Sequence, residues 1–106
     1  MFEVKSFSKE VIDAVWKRSA GNRRFAKDIA GAWMNRDKYG QTASLGEGWE
    51  IDHIVPLAQG GTDDITNLQP LQWENNRSKS ARYPVWKAVV TSDSYRNVYE
   101  EKWVSQ

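Results

Sequence analysis

The stretch of sequence that decides the fold and the chemistry lies within residues 41–80. It reads WEIDHIVP at residues 49–56, GG at 60–61, NLQPL at 67–71 and NNRSK at 75–79. These segments contain an acid–histidine pair, a loop marked by a proline and twin glycines, and two groups of asparagines. Side chains of these types bind divalent cations and move protons, so the stretch is the candidate site.

The acid–histidine pair offers two kinds of chemistry. His53 is the only histidine in the chain, and an unperturbed imidazole, with a pKa of about 6.5, accepts protons near neutral pH. Asp52 offers carboxylate oxygens, the hard ligands that Mg²⁺ and Mn²⁺ prefer. Adjacent side chains on a strand point to opposite faces. The two can share a site if the strand ends there and bends, and Pro56 and the glycines are consistent with that bend.

Two asparagines complete the pattern. Asn76, on a helix predicted over residues 71–79, offers a carbonyl oxygen as a second metal ligand. Asn67 offers an amide that can hold the imidazole in one tautomer and one orientation. Each element alone is weak, because an isolated Asp-His pair is commonly a surface feature and single asparagines are commonly turn formers or helix caps. The ordered set is what indicates a site.

In order and spacing, the stretch resembles the HNH nuclease family, in the variant in which asparagine replaces the final histidine. The resemblance covers residues 49–80 and extends upstream to about residue 28. It implies a ββα-metal fold, in which a hairpin and a helix clamp one divalent ion. It also implies roles by position: His53 as the general base, Asn67 as the residue that positions it, and Asp52 and Asn76 as metal ligands.

The resemblance implies one divalent ion, Mg²⁺ or Mn²⁺ before others, and no structural zinc. Many relatives bind zinc through two Cys-x-x-Cys pairs, whereas this chain has no cysteine. Gln72 and Asn75 stand where the second pair would fall. The lack of cysteine also excludes disulfides and thiolate metal sites. Stability therefore has to come from packing, to which six tryptophans contribute much of the apolar area.

The activity that the resemblance implies is metal-dependent hydrolysis of phosphodiester bonds in DNA, with RNA as an open alternative. Two other hypotheses stay open: a non-catalytic nucleic-acid-binding domain of the same fold, and a toxin-type nuclease. Basic side chains are candidates for phosphate contacts, and they are Arg77, Lys79, Arg23 and Arg24. For these residues, solvation at a helix end or plain surface charge is the alternative. Glu50 shares a strand face with Asp52 and could help to hold the ion, although a solvated carboxylate explains it equally.

Length and charge are consistent with this interpretation. A chain of 106 residues predicts a single domain over residues 1–106, with the motif core at about 28–80. Lysine and arginine exceed acids by four in residues 1–40, and acids exceed them by four in residues 41–80. That asymmetry fits a phosphate-attracting flank beside a cation-holding pocket; surface charge that averages out on folding is the alternative. No apolar run approaches the roughly 20 residues that span a bilayer, and the first residues lack a secretory signal, so we expect a cytoplasmic protein.

The predicted fold class is α+β: a ββα-metal motif with an N-terminal helix and a C-terminal hairpin. Apolar spacing predicts a helix over residues 8–18, with Ser8 as its N-cap and glycine after its end. Residues 32–36 and 49–54 are expected to form a hairpin with a long connection. One helical turn is expected at 62–65, and Pro70 suits the first position of the next helix. Residues 85–91 and 98–104 are expected to pair across a turn at 92–95, with a helix as the alternative for the second segment.

Overall fold

The computed structural model describes residues 6–106. In this part of the chain the six strands form three antiparallel two-stranded sheets, β1–β2, β3–β4 and β5–β6. The elements, in chain order, are α1 (Lys9–Ala20), β1 (Phe25–Lys27), β2 (Trp33–Asn35), β3 (Trp49–His53), β4 (Leu68–Gln72), α2 (Trp73–Lys79), β5 (Val85–Asp93) and β6 (Arg96–Ser105). The protein is a small single α+β domain, which confirms the predicted fold class.

Helix α1 has the bounds that its end signals indicate. The hydroxyl of Ser8 accepts a hydrogen bond from the amide of Val11 at 3.2 Å, which satisfies one of the amides that a helix start leaves unpaired. The helix ends at Gly21, where φ is 63°, a backbone angle that glycine adopts without strain. The buried side of α1 carries Trp16, whose ring centroid lies 5.1 Å from that of Trp49 on β3. Helix α1 therefore covers the hairpin that carries the candidate site.

The predicted partner of β3 is wrong. Strand β3 pairs with β4, with Trp49 opposite Gln72 and His53 opposite Leu68, and residues 33–35 pair with 25–27 instead. The turn between β1 and β2 explains this. Both Ala30 and Ala32 donate their amides to Oδ1 of Asp28 at 2.9 Å, so a local hairpin closes over a short loop. Strand β4 contributes Leu68, which is buried in the same core cluster as Trp49 and Ile51 of β3.

The second helix begins later than Pro70. This proline lies in β4, opposite Ile51, where a strand with one partner has an edge that tolerates a residue without an amide proton. Gln72 is the N-cap of α2, and its Oε1 accepts hydrogen bonds from the amides of Glu74 at 2.9 Å and Asn75 at 3.1 Å. The single helical turn predicted at residues 62–65 lies at Ile65–Asn67, as a 3-10 turn.

The C-terminal hairpin is confirmed. Strands β5 and β6 pair from Val85 opposite Ser105 to Asp93 opposite Arg96, so residues 98–104 form a strand. Trp86 of β5 is fully buried in a core cluster that includes Leu71 of β4. The hairpin β3–β4 and helix α2 therefore form a ββα unit held between α1 and the C-terminal hairpin. Neither helix of residues 6–106 has the length and apolar character needed to cross a membrane.

Candidate active site

His53 is the last residue of β3, and the chain leaves the sheet directly after it. Its side chain is buried, with 6% of its surface exposed. The ring nitrogen Nε2 lies 2.8 Å from Oδ1 of Asp63, and the ring centroid lies 6.0 Å from that of Phe7. The strand end expected from Pro56 is therefore present, and the imidazole sits between a carboxylate and an aromatic ring.

Asn67 holds the loop that follows His53. Its Oδ1 accepts a hydrogen bond from the amide of Val55 at 2.9 Å, and its Nδ2 donates to the carbonyls of Val55 at 3.0 Å and Thr62 at 2.8 Å. Gly61 makes this close approach feasible, because a Cβ on it would lie 1.7 Å from the Val55 carbonyl oxygen. The amide of Asn67 therefore braces the backbone on both sides of the loop, where the sequence suggested a direct contact with the imidazole.

Asp52 is buried in an ion pair with Lys79. The ammonium of Lys79 lies 3.1 Å from Oδ2 and 3.2 Å from Oδ1 of Asp52, and Nε2 of Gln69 donates to Oδ2 at 2.9 Å. Burial raises the pKa of Asp52 above its usual value, while Lys79 and Gln69 oppose that shift by favouring the carboxylate. The ammonium also donates to the carbonyls of His53 at 2.9 Å and Ile54 at 3.1 Å. Helix α2 is thus fastened to the end of β3.

Asn76 is held by the carboxylate of Glu50. Its Nδ2 donates to Oε1 of Glu50 at 2.8 Å, and Arg77 donates to the same carboxylate through Nη2 at 2.9 Å and Nε at 3.3 Å. The hydrogen bond to Glu50 raises the pKa of Arg77. Glu50 is therefore not a solvated carboxylate. It fixes the orientation of the Asn76 amide by accepting a hydrogen bond from Nδ2.

Two contacts join the face of β3 that carries Asp52 to the face of α2 that carries Asn76. Glu50 and Asp52 are two apart on one strand face, about 7 Å from each other, and Asn76 and Lys79 are three apart on one helix face, about 5–6 Å from each other. Because Asn76 contacts Glu50 and Lys79 contacts Asp52, the metal ligands expected from the sequence lie on facing sides of β3 and α2.

The donor set around Asp52 and Asn76 fits a hard divalent ion. Residues 6–106 contain no cluster of three or more His, Cys, Asp or Glu side chains arranged to hold a metal, so a closed cage of such ligands is not built there. Mg²⁺ commonly takes one or two carboxylates and keeps several waters. A carboxylate accepts about four hydrogen bonds; the donors on Asp52 are Gln69 and the shared ammonium of Lys79. The oxygens of Asp52 and Asn76 are of the chemical type that such an ion prefers, and an ion bound there would share Asp52 with the ammonium of Lys79.

The basic residues expected to contact phosphate are not equivalent. Lys79 is fully buried, so its ammonium serves the ion pair and does not face a nucleic acid. Arg77 is partly exposed beside Glu50 and lies over the Trp73 ring, 5.4 Å from its centroid. Arg24 is exposed and lies 2.8 Å from Asp37, and Arg23 donates to the carbonyl of Ala20 at 3.0 Å. The two arginines lie between α1 and β1, on different elements from Arg77.

A buried polar network surrounds Gln72 and Asn75. Oδ2 of Asp28 accepts hydrogen bonds from the amide of Gln72 at 3.0 Å and from Nδ2 of Asn75 at 3.1 Å. Oδ1 of Asn75 in turn accepts the amides of Val89 and Val90, both at 2.9 Å. Burial raises the pKa of Asp28, and its hydrogen bonds oppose the shift. This network joins the start of α2 to β5 and to the β1–β2 turn.

Sequence reasoning missed two residues that contact the site. Gln69 lies opposite Asp52 in the β3–β4 ladder, and finding it required the strand pairing that the sequence did not predict. Asp63 lies between the twin glycines and Asn67. The only feature of the sequence that could have pointed to its contact with the site was the presence of an acid in that loop. Both are short-range partners of the residues that carry the predicted chemistry.

Comparison with known families agrees with the geometry. Residues 37–82 match the family model described as HNH endonuclease, which confirms over this segment the family recognised from the sequence. The match contains β3, β4 and α2 with Asp52, His53, Asn67 and Asn76, and leaves α1 and the C-terminal hairpin outside it. Comparison with curated proteins and with solved structures gave no significant match. Residues 37–82 are therefore similar to an HNH endonuclease domain, and that family suggests nuclease-type activity.

Proposed function

We propose that the protein is a metal-dependent endonuclease that hydrolyses phosphodiester bonds in DNA. The observation that carries the proposal is the pair of contacts between β3 and α2, Asn76 to Glu50 at 2.8 Å and Lys79 to Asp52 at 3.1 Å. They join helix α2, which carries Asn76, to strand β3, which carries Asp52 and ends at the only histidine of the chain. The family match over residues 37–82 supports the same assignment.

Asp52 and Asn76 would hold the divalent ion, Mg²⁺ or Mn²⁺. A cation bound there supplies charge neutralisation for the phosphate and for the departing oxygen. The protein's own part is to keep both oxygens in place: Gln69 and Lys79 orient Asp52, and Glu50 orients Asn76. Removal of either support should loosen the site without removing a ligand.

His53 is the general base in this proposal. A nitrogen of its neutral imidazole accepts a proton from water, and the water oxygen forms a bond to phosphorus while the bond from phosphorus to the 3′-oxygen breaks. The departing 3′-oxygen takes a proton from solvent water, and His53 later returns its proton to solvent. The products are a 3′-hydroxyl and a 5′-phosphate, by analogy with the family. The imidazole is suited to this task because it is held at the end of β3 and its Nε2 lies 2.8 Å from Oδ1 of Asp63. Asn67 supports it by bracing the loop that follows.

The exposed arginines are the proposed phosphate contacts. Arg23, Arg24 and Arg77 keep guanidinium groups at the surface, and guanidinium groups bind phosphates in a bidentate manner. Lys79 has a different role here, since its buried ammonium holds the carbonyls of His53 and Ile54. It therefore shapes the strand end that carries the base.

A cleavage assay tests the proposed function. The protein is incubated with supercoiled plasmid, and separately with single-stranded DNA and RNA, in Mg²⁺ or Mn²⁺ with and without EDTA. We expect metal-dependent nicking of the plasmid, a loss of rate of about 10² to 10⁴ for His53→Ala, and a comparable loss for Asp52→Asn. Asp93→Asn, at the exposed tip of the C-terminal hairpin, is the matched control and should cleave normally. Robust cleavage by His53→Ala would remove the base assignment. Absence of cleavage with every metal and substrate would favour a nucleic-acid-binding domain without catalysis.

A further inference from the structure

A carboxylate that sequence reasoning missed contacts the histidine. Nε2 of His53 lies 2.8 Å from Oδ1 of Asp63. The two residues are ten positions apart, the imidazole is 6% exposed and the side chain of Asp63 is 51% exposed. The acid therefore reaches in from the loop surface to a buried ring. Such a contact restricts both the orientation of the ring and the position of its proton.

The chemistry of the contact defines the tautomer. An ionised carboxylate accepts hydrogen bonds and donates none. A neutral imidazole next to Oδ1 of Asp63 therefore carries its proton on Nε2, and its lone pair is on Nδ1. We propose that Asp63 is the positioning residue of the active site, which holds the imidazole of His53 in one orientation with its proton on Nε2. This inference rests on the proposed function, since it assigns a partner to the proposed base.

The loop is built to keep Asp63 in place. The carbonyl of Thr62 accepts a hydrogen bond from Nδ2 of Asn67 at 2.8 Å, and the carbonyl of Asp64 accepts one from the amide of Asn67 at 2.8 Å. The residues on either side of Asp63 are thus tied to the same asparagine. Gly61 anchors the preceding part of the loop by donating its amide to the carbonyl of Pro56 at 3.0 Å.

Asn67, which was expected to position the imidazole, can do so indirectly in this arrangement. Its side chain bonds to the loop backbone at residues 55 and 62, and the loop in turn presents Asp63 to His53. Asn67 thus acts on the imidazole through the loop and its acid. The carboxylate makes the contact that sets the ring, and the asparagine holds the carboxylate.

Nuclear magnetic resonance of the metal-free full chain tests the tautomer directly. Because the protein has one histidine, labelling with ¹⁵N-histidine gives the signals of one ring. We expect the ring proton on Nε2 in the wild-type protein at a pH where the ring is neutral, in a hydrogen bond that slows its exchange with water. Asp63→Ala should lose that slowly exchanging proton. Asp64→Ala, the adjacent acid with the same change of charge, is the matched control and should keep it. A ring proton on Nδ1 in the wild-type protein would overturn the proposal.

Kinetics provide the second readout. With a short duplex substrate, Asp63→Ala should lower kcat by about 10- to 100-fold. It should leave KM unchanged or lower it, because the substitution removes a negative charge near a polyanionic substrate. A substitution that merely loosened the binding site would raise KM instead. The kcat of Asp63→Asn should lie between those of the wild type and Asp63→Ala, since the carbonyl oxygen of the asparagine can still accept a hydrogen bond from Nε2. A wild-type kcat for Asp63→Ala, in a protein with the wild-type melting temperature, would overturn the proposal. If the wild-type protein cleaves nothing, the nuclease assignment fails, and the resonance experiment still decides whether Asp63 sets the tautomer.

Discussion

Lys79 and Asp52 form a buried ion pair, in which the ammonium lies 3.1 Å from Oδ2 of the carboxylate. Burying two charges is costly unless their hydrogen bonds are satisfied. Here the ammonium donates to Asp52 and to the carbonyls of His53 and Ile54, so all of its N–H donors are satisfied. The pair therefore stabilises the approach of α2 to the end of β3, where the proposed base lies.

Substitution of Lys79 should destabilise the fold strongly. Lys79→Met leaves the carboxylate of Asp52 buried without its cation, and breaking a buried pair on one side costs about 3–5 kcal/mol. The free energy of unfolding from urea titration measures the effect. Lys87→Met is the matched control, because Lys87 is partly exposed and lies 3.8 Å from Glu101, a surface pair worth about 0–1 kcal/mol. Equal losses for the two variants would contradict the structural role of the buried pair.

Asp28 should be needed for stability and should make that stability depend on pH. Its carboxylate accepts four buried hydrogen bonds. The side chain of Asp28→Asn has one oxygen to accept with and places an amide among donors, so we expect a loss of about 1–3 kcal/mol.

The sign of the pH effect follows from burial, which raises the pKa of Asp28 above its ordinary 3.8. The folded state then holds the proton to a higher pH than the unfolded state, so this stabilising contribution is present at low pH and is lost as pH rises from about 4 through the raised value. The difference in the free energy of unfolding between wild type and Asp28→Asn should therefore narrow over that range. A difference that widens with rising pH would mean that the pKa of Asp28 is lowered.

Two adjacent glycines should respond differently to alanine. A Cβ on Gly61 would lie 1.7 Å from the carbonyl oxygen of Val55 and 3.0 Å from Nδ2 of Asn67, so Gly61→Ala must displace the loop that follows His53. We expect a loss of stability of about 1–3 kcal/mol together with a reduced rate of cleavage. Gly60 has a φ of 91°, and a Cβ on it would meet no atom within 4 Å, so Gly60→Ala adds backbone strain alone. It should keep more of the cleavage rate than Gly61→Ala, and the reverse order would show that the loop contact is unimportant.

Much of the architecture was determined by local sequence. The bounds of α1 follow from Ser8 and Gly21, because both act on the backbone next to them. The C-terminal hairpin follows from apolar strands on either side of a polar turn, which closes at Ser94 and Tyr95. The order of Asp52, His53, Asn67 and Asn76 was enough to recognise the family that the match over residues 37–82 confirms.

Tertiary structure decided which of these residues touch. Strand β3 accepts β4 and not β2, because a local turn at Asp28 already provides β2 with a partner. The burial of Lys79 and the reach of Asp63 to His53 depend on that pairing and on the fold of the loop. Local sequence acts through neighbours along the chain, so it determines helix ends and turns. Contacts between residues far apart in sequence depend on how the elements pack, and those contacts decide how the site is held together.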